Sequence, residues 1–251
     1  MSKIDWVLLS QSLSKSPTFV PFSVWIIGDT PLICHAWSEK ARREMLVKQV
    51  GATKPGKEKR DPNQDFMDSL YDMGDKTYGF PVTGFKNSIL SAAHKDKGIP
   101  RSTVMAALYI EAEMVRTRPA LAGAVCDMPL VRIHGTKPEM REDMVRIGTG
   151  MSKVANLAYR AQFTIWAVKL TGRFNKTTLS AENLAFLISE AGISYGVGEW
   201  RNEKKGMFGA FHLADEKEEA LWEKYLSGKG KLPTPASYKP VSDLASYKEA
   251  A

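Results

Sequence analysis

The sequence predicts an α+β fold with a mostly antiparallel sheet, and three observations carry that expectation. Runs rich in β-branched and aromatic residues, among them Phe22–Ile27, Met128–His134 and Tyr159–Phe174, read as strands. Capped amphipathic stretches, the clearest over Ala181–Ala191, read as helices. The order runs strand–helix, a helical segment, several strands, then strand–helix–strand, which suits helices laid on an antiparallel sheet.

Composition bounds the rest. The 251 residues suffice for one large domain or two small ones, and 43% hydrophobic with 25% charged residues is ordinary for a globular chain. A net charge of +7 favours an anionic partner, nucleic acid first. Cys34 and Cys126 are the only cysteines and lack a CxxC spacing, which argues against a zinc site or a disulfide scaffold and fits a reducing cytoplasm. The start Met1-Ser-Lys-Ile-Asp-Trp6 lacks a signal-peptide core, and no apolar run reaches membrane-spanning length, so no membrane partner is expected.

Residues 1–19 read as a polar N-terminal arm, 20–226 as a single α+β domain with an insertion at about 51–107, and 227–251 as an extended tail. Phe22–Ile27 is the first core strand, and Leu32–His35 continues it. Ser38 caps a basic helix, Glu39–Val50, that carries Lys40, Arg42 and Arg43. Residues 51–62, with Lys57, Lys59 and Arg60, are either a solvated linker or a basic loop that orders on a phosphate backbone. Pro62 opens the next helix, over Asn63–Tyr71, and Tyr78–Pro81 reads as a turn. Thr83 then caps a helix over Gly84–His94, with Lys86 in its first turn, where a cation is disfavoured unless an anion is near. Leu108–Val115 reads as a strand and residues 151–158 as a loop.

Tyr159–Phe174 reads as one long strand with Trp166 on its polar face beside Arg160. That Trp either stacks on a base or is covered by a helix. Ser180 caps the helix over Ala181–Ala191, and Gly192 stops it. Tyr195–Phe211 follows, with Gly196, Gly198, Gly206 and Gly209 bracketing Trp200, Arg201, Lys204 and Lys205. It reads as a loop offering N–H groups and positive charge to a polyanion, or as a hairpin with glycines at its bends. The last strand–helix–glycine loop–strand forms half of a ferredoxin-like arrangement, and the strand at 22–27 with the helix at 39–50 would form the other half.

No phosphate-binding loop, dinucleotide fingerprint or zinc-protease motif is present, and the four histidines are dispersed. Asp61, Asp65 and Asp68 have helical spacing and read as a solvated face or as metal ligands. No catalytic residue, metal or cofactor is expected. What remains is a distributed cationic and aromatic set for tracking a nucleic-acid strand: Lys40, Arg42, Arg43, Lys57, Lys59, Arg60, Lys86, Arg160, Trp166, Trp200, Arg201, Lys204 and Lys205.

The run Gly196-Val-Gly198…Arg201…Gly206-Met-Phe-Gly209, with the helix at Thr83, resembles the RAMP superfamily, the RNA-binding subunits of CRISPR effector complexes, and in particular its backbone-type (Cas7-like) members. The chain also resembles bacteriophage proteins with a Gly-x-Gly-Glu-Trp-Arg run. The resemblance implies a ferredoxin-like core with residues 51–75 as a thumb-like insertion. It further implies single-stranded RNA or DNA as partner, copies of the chain along the strand, and other effector-complex subunits. A viral assembly protein without nucleic-acid binding, or a metal-dependent nuclease using the three aspartates, is the alternative.

Overall fold

A computed structural model describes residues 19–51, 60–93, 98–116, 127–148 and 154–235. The chain begins with β1 (Phe19–Gly28), β2 (Leu32–Cys34), α1 (Glu39–Gln49) and α2 (Pro62–Ser69). Next come β3 (Asp72–Gly74), β4 (Thr77–Pro81), α3 (Val82–Ala93), α4 (Arg101–Ala107), β5 (Leu108–Ile110) and β6 (Glu113–Val115). After β7 (Met128–Arg132) and β8 (His134–Gly135), β9 (Glu139–Ile147) and β10 (Val154–Phe163) form a hairpin. The last elements are β11 (Trp166–Asn175), α5 (Ala181–Glu190), β12 (Phe211–Leu213) and α6 (Glu216–Leu226).

The result is a mixed α+β architecture in which the named strands pair antiparallel. The main sheet has the order β12-β1-β11-β5, with β8 also on β11. Two smaller sheets, β2-β10-β9 and β3-β4-β7-β6, lie beside it. β1 and β11 pair from Phe19↔Asn175 to Ile27↔Ala167 and are buried on both faces at their Ile27 end. On one face Ile26, Val168, Leu170 and Phe211 join Phe85 and Ile89 of α3 and Leu184 and Leu187 of α5. On the other, Trp25, Ile27 and Ala167 meet Trp222 of α6, whose ring stacks on Trp25 with centroids 6.3 Å apart. Alternate residues of each strand thus feed separate cores.

Burial on both faces corrects the reading of Trp166. It is fully buried, and its Nε1–H donates to the Thr30 carbonyl at 2.8 Å. The missing Cβ of Gly28 leaves room for its ring. The polar face it was assigned to belongs to another strand, because the run over Tyr159–Phe174 breaks at Thr164–Ile165 into β10 and β11, which lie in different sheets. Thr136 holds the break: its hydroxyl accepts from the N–H of Thr164 at 3.1 Å and of Ile165 at 3.3 Å.

Other expectations change too. Leu32–Cys34 pairs with β10 instead of extending β1's sheet. Tyr78–Pro81 belongs to strand β4, because Phe80 packs in the core. Leu108–Val115 divides between two sheets as β5 and β6. Residues 154–158 are strand, supported by pairing with β9, since of these only Ala158 is buried. Thr83 lies inside α3, so Lys86 is its fifth residue and lies past its first turn. Gly192 stops nothing: the helix continues as a π-helical turn, Ala191–Tyr195, and a Cβ on Gly192 would strike the Phe211 carbonyl. The helix expected to pair with β1, α1, buries no residue, whereas α3 packs on the main sheet's core and against α5.

Candidate nucleic-acid interface

The glycine stretch is pinned at both ends. Gly196, at φ 68°, ends the π turn by donating to the Ala191 carbonyl at 2.8 Å. Val197 N–H donates to Gly209 O, and Gly209 N–H to Pro31 O, each at 2.9 Å. Glu199 N–H reaches the Ile33 carbonyl at 3.1 Å. Within the loop, Phe208 N–H donates to Trp200 O at 3.1 Å, closing a tight loop around the 3₁₀ turn Asn202–Lys204. The stretch is not the expected β-hairpin: its one bridge, Arg201–Phe208, is parallel, and no strand pair flanks the turn. Trp200 sits at φ 50°, a left-handed conformation that costs a bulky residue about 1–3 kcal/mol. The Trp200–Phe208 ring contact, at 6.4 Å, and the close approach of Gly206 to the Trp200 carbonyl hold it there.

Opposite this loop stands α3. Phe85, Ile89, Ala92 and Ala93 turn inward. Gly84, Asn87, Ser88 and Ser91, spaced three or four apart, line a second stripe. The Ser88 hydroxyl donates to the Ala191 carbonyl at 3.0 Å and so ties the helix to the π turn before the loop. Between helix and loop lies a cleft of about 430 Å³. Val197, Gly198, Glu199, Arg201, Glu203 and Lys204 form its loop wall. His35, Tyr71 and Phe80 contribute to its lining, as does Arg101 of α4.

Its charges are arranged. The Arg201 guanidinium donates to Glu203 from Nε at 2.9 Å and Nη2 at 2.5 Å, and from Nη1 to the Gly198 carbonyl at 3.1 Å. His35 Nδ1 lies 3.0 Å from Glu199 Oε1. That hydrogen bond, assisted by the charges of His35, Arg160 and Arg201, holds the Glu199 carboxyl below its usual range. Behind the loop, Arg141 bonds both oxygens of buried Asp143 and lies 4.5 Å over the Phe208 ring.

The structure gathers only part of the expected set. Arg201 and Lys204 line the cleft, and Lys205 follows in an exposed left-handed position, φ 63°. Arg160 does not face solvent: its side chain is 11% exposed, and Nη1 is 3.9 Å from Asp143. Lys86 is half-buried on α3 outside the lining. Arg60 reaches Asp65 at 2.6 Å and Asn156 at 2.8 Å and covers the Tyr159 ring. Lys40, Arg42 and Arg43 lie on α1, away from the lining, with Arg43 paired to Glu39. Lys57 and Lys59 lie outside the described residues. Asp61 caps α2, Asp65 takes Arg60 and Asp68 takes Gln64; among the described residues no group of three or more acidic, His or Cys side chains is placed to hold a metal. Sequence reasoning missed His35, Tyr71, Arg101 and the stripe on α3. The stripe's spacing was readable, but its use depends on what faces it.

No family model matches the chain, and neither does any curated protein. Among solved structures it is similar to Cmr6 from Pyrococcus furiosus, at 12% identity and a TM-score of 0.35, over 78% of this chain and 99% of that one. No helix among the described residues is long and apolar enough to cross a membrane.

Proposed function

We propose that this chain binds a single strand of RNA or DNA in the cleft between α3 and the glycine loop, without catalysis of its own. The cleft itself is the observation that carries the reading. It sets the exposed cations Arg101 and Lys204, beside the Arg201–Glu203 pair, among small hydrogen-bonding side chains on α3 and next to the Tyr71 ring. Cations that meet phosphates, beside an aromatic surface that accepts any base, are what sequence-tolerant strand binding requires. In this reading the domain is ferredoxin-like: β1 lies between β12 and β11, β5 is the far edge, and α3 and α5 cover one face. That order, with the glycine run, supports a RAMP-like role. The chain would be a backbone-type subunit of an effector complex, or a bacteriophage nucleic-acid-binding protein, acting in the cytoplasm.

The test is fluorescence anisotropy of labelled oligonucleotides over a salt series. Replacing Arg101 and Lys204 by Ala removes two exposed cations, so the slope of log affinity against log salt falls by about 2, about equally for unrelated sequences. Unchanged affinity and slope would sink the reading.

A further inference from the structure

The hairpin β9–β10 carries apolar side chains that the fold leaves uncovered. The strands pair from Glu139↔Gln162 to Ile147↔Val154. β9 is an edge of its sheet, and no strand among the described residues takes its outer side. Met144 and Leu157 are register partners on one face and stay 64% and 44% exposed, and Met140 on that face is 42% exposed. A nine-residue edge strand with an uncovered apolar face is a template for another strand.

The charges along β9 select the occupant. On the Met144 face, Glu142 precedes Met144 and Arg146 follows it, both exposed. Antiparallel pairing with a second β9 about Met144 sets Glu142 of each chain opposite Arg146 of the other, with the two Met144 side chains facing at the axis. Centring on residue 142 would oppose two glutamates, and on 146 two arginines. Centring on 143 or 145 would set each charge opposite a methionine or glycine. The sequence of β9 is thus complementary to itself in one register. We propose that β9 is the surface on which a second copy of this chain adds, antiparallel about Met144, joining the two β2-β10-β9 sheets into one. Leu157 of both copies flanks the methionines, because it lies directly beside Met144.

Nothing here depends on the nucleic-acid reading, and the test uses full-length protein freed of nucleic acid by nuclease and high salt. Sedimentation velocity over a concentration series should show a monomer–dimer equilibrium. Glu142→Arg or Arg146→Glu alone sets like charges opposite and should weaken the dimer about tenfold, because directly opposed like charges destabilise a strand pair. The double variant Glu142→Arg/Arg146→Glu restores the complementarity and should recover most of the affinity. Both positions are exposed, and circular dichroism checks that the variants fold. A chain that stays monomeric overturns the proposal. So does a dimer indifferent to the single reversals, or one that the double reversal fails to rescue.

Discussion

α1 and α3 are nearly equal in length, eleven and twelve residues, and both carry residues expected to meet a nucleic-acid strand, yet they differ in what lies beneath them. α1 carries the basic residues and buries nothing; it is held by the Ser38 cap, with an Arg43–Glu39 pair on its surface. α3 carries one lysine and buries seven residues. A helix below about 12–15 residues is marginal without tertiary packing, so α3 can fix a cleft wall in place and α1 can only offer charge. Positive charge says where an anion is welcome; burial of the opposite face says where it can be positioned.

The sharpest way to break this comparison is to cut both helices equally. Phe85→Ala removes a fully buried ring from α3 and should cost about 3–5 kcal/mol in urea denaturation. Met45→Ala on α1, 41% exposed in the wild type, should stay within about 0.5 kcal/mol. Comparable losses would make α1 part of the scaffold.

The opposite wall is tested by Gly209→Ala. At φ 66°, with the Val197 carbonyl where a Cβ would go, the substitution should cost more than about 1 kcal/mol and raise hydrogen exchange at the Val197 and Gly209 amides. An unaltered loop would mean its ends are not the rigid posts described above.

A smaller effect comes from the loop's exit strand. His212 Nδ1 is 2.8 Å from Asp29, and Nε2 is 3.1 Å from Glu218 of α6. The Asp29 hydrogen bond leads in pushing His212 from 6.5 up to about 9, with Glu218 adding to it against partial burial. A raised pKa means protonation favours the folded state. The stabilisation is complete below about pH 6.5 and is lost as pH rises through about 9. Because the side chain is 31% exposed, the loss should be only about 1 kcal/mol between pH 6 and 10. Thermal melts of wild type and His212→Asn check it; parallel pH profiles would remove this tie from the account.

The smallest change is expected at α1. Lys40→Ala/Arg43→Ala should shift the salt slope of oligonucleotide binding by less than about 1, against about 2 for the Arg101/Lys204 pair. A larger shift at α1 would move the interface there.

What the sequence showed plainly was local. Ser38 and Ser180 cap their helices because a side-chain oxygen reaches an N–H within three residues. Phe22–Ile27 is strand because its residues suit a pleated core. What stayed hidden depended on partners. The break at Thr164–Ile165 follows from the Thr136 hydroxyl, nearly thirty residues earlier. Trp166 read as polar-facing because Arg160 and Gln162 were taken for the same strand. The cleft draws His35, Tyr71, Arg101 and Arg201 from four separate stretches, and no spacing rule links them.

The most direct measurement is photo-crosslinking of an oligonucleotide carrying a photoreactive base, with the attached residues mapped by mass spectrometry. Binding in the cleft predicts adducts at Tyr71 and in the segments 84–91 and 198–204. Adducts confined to the α1 segment, with the cleft unmarked, would contradict it.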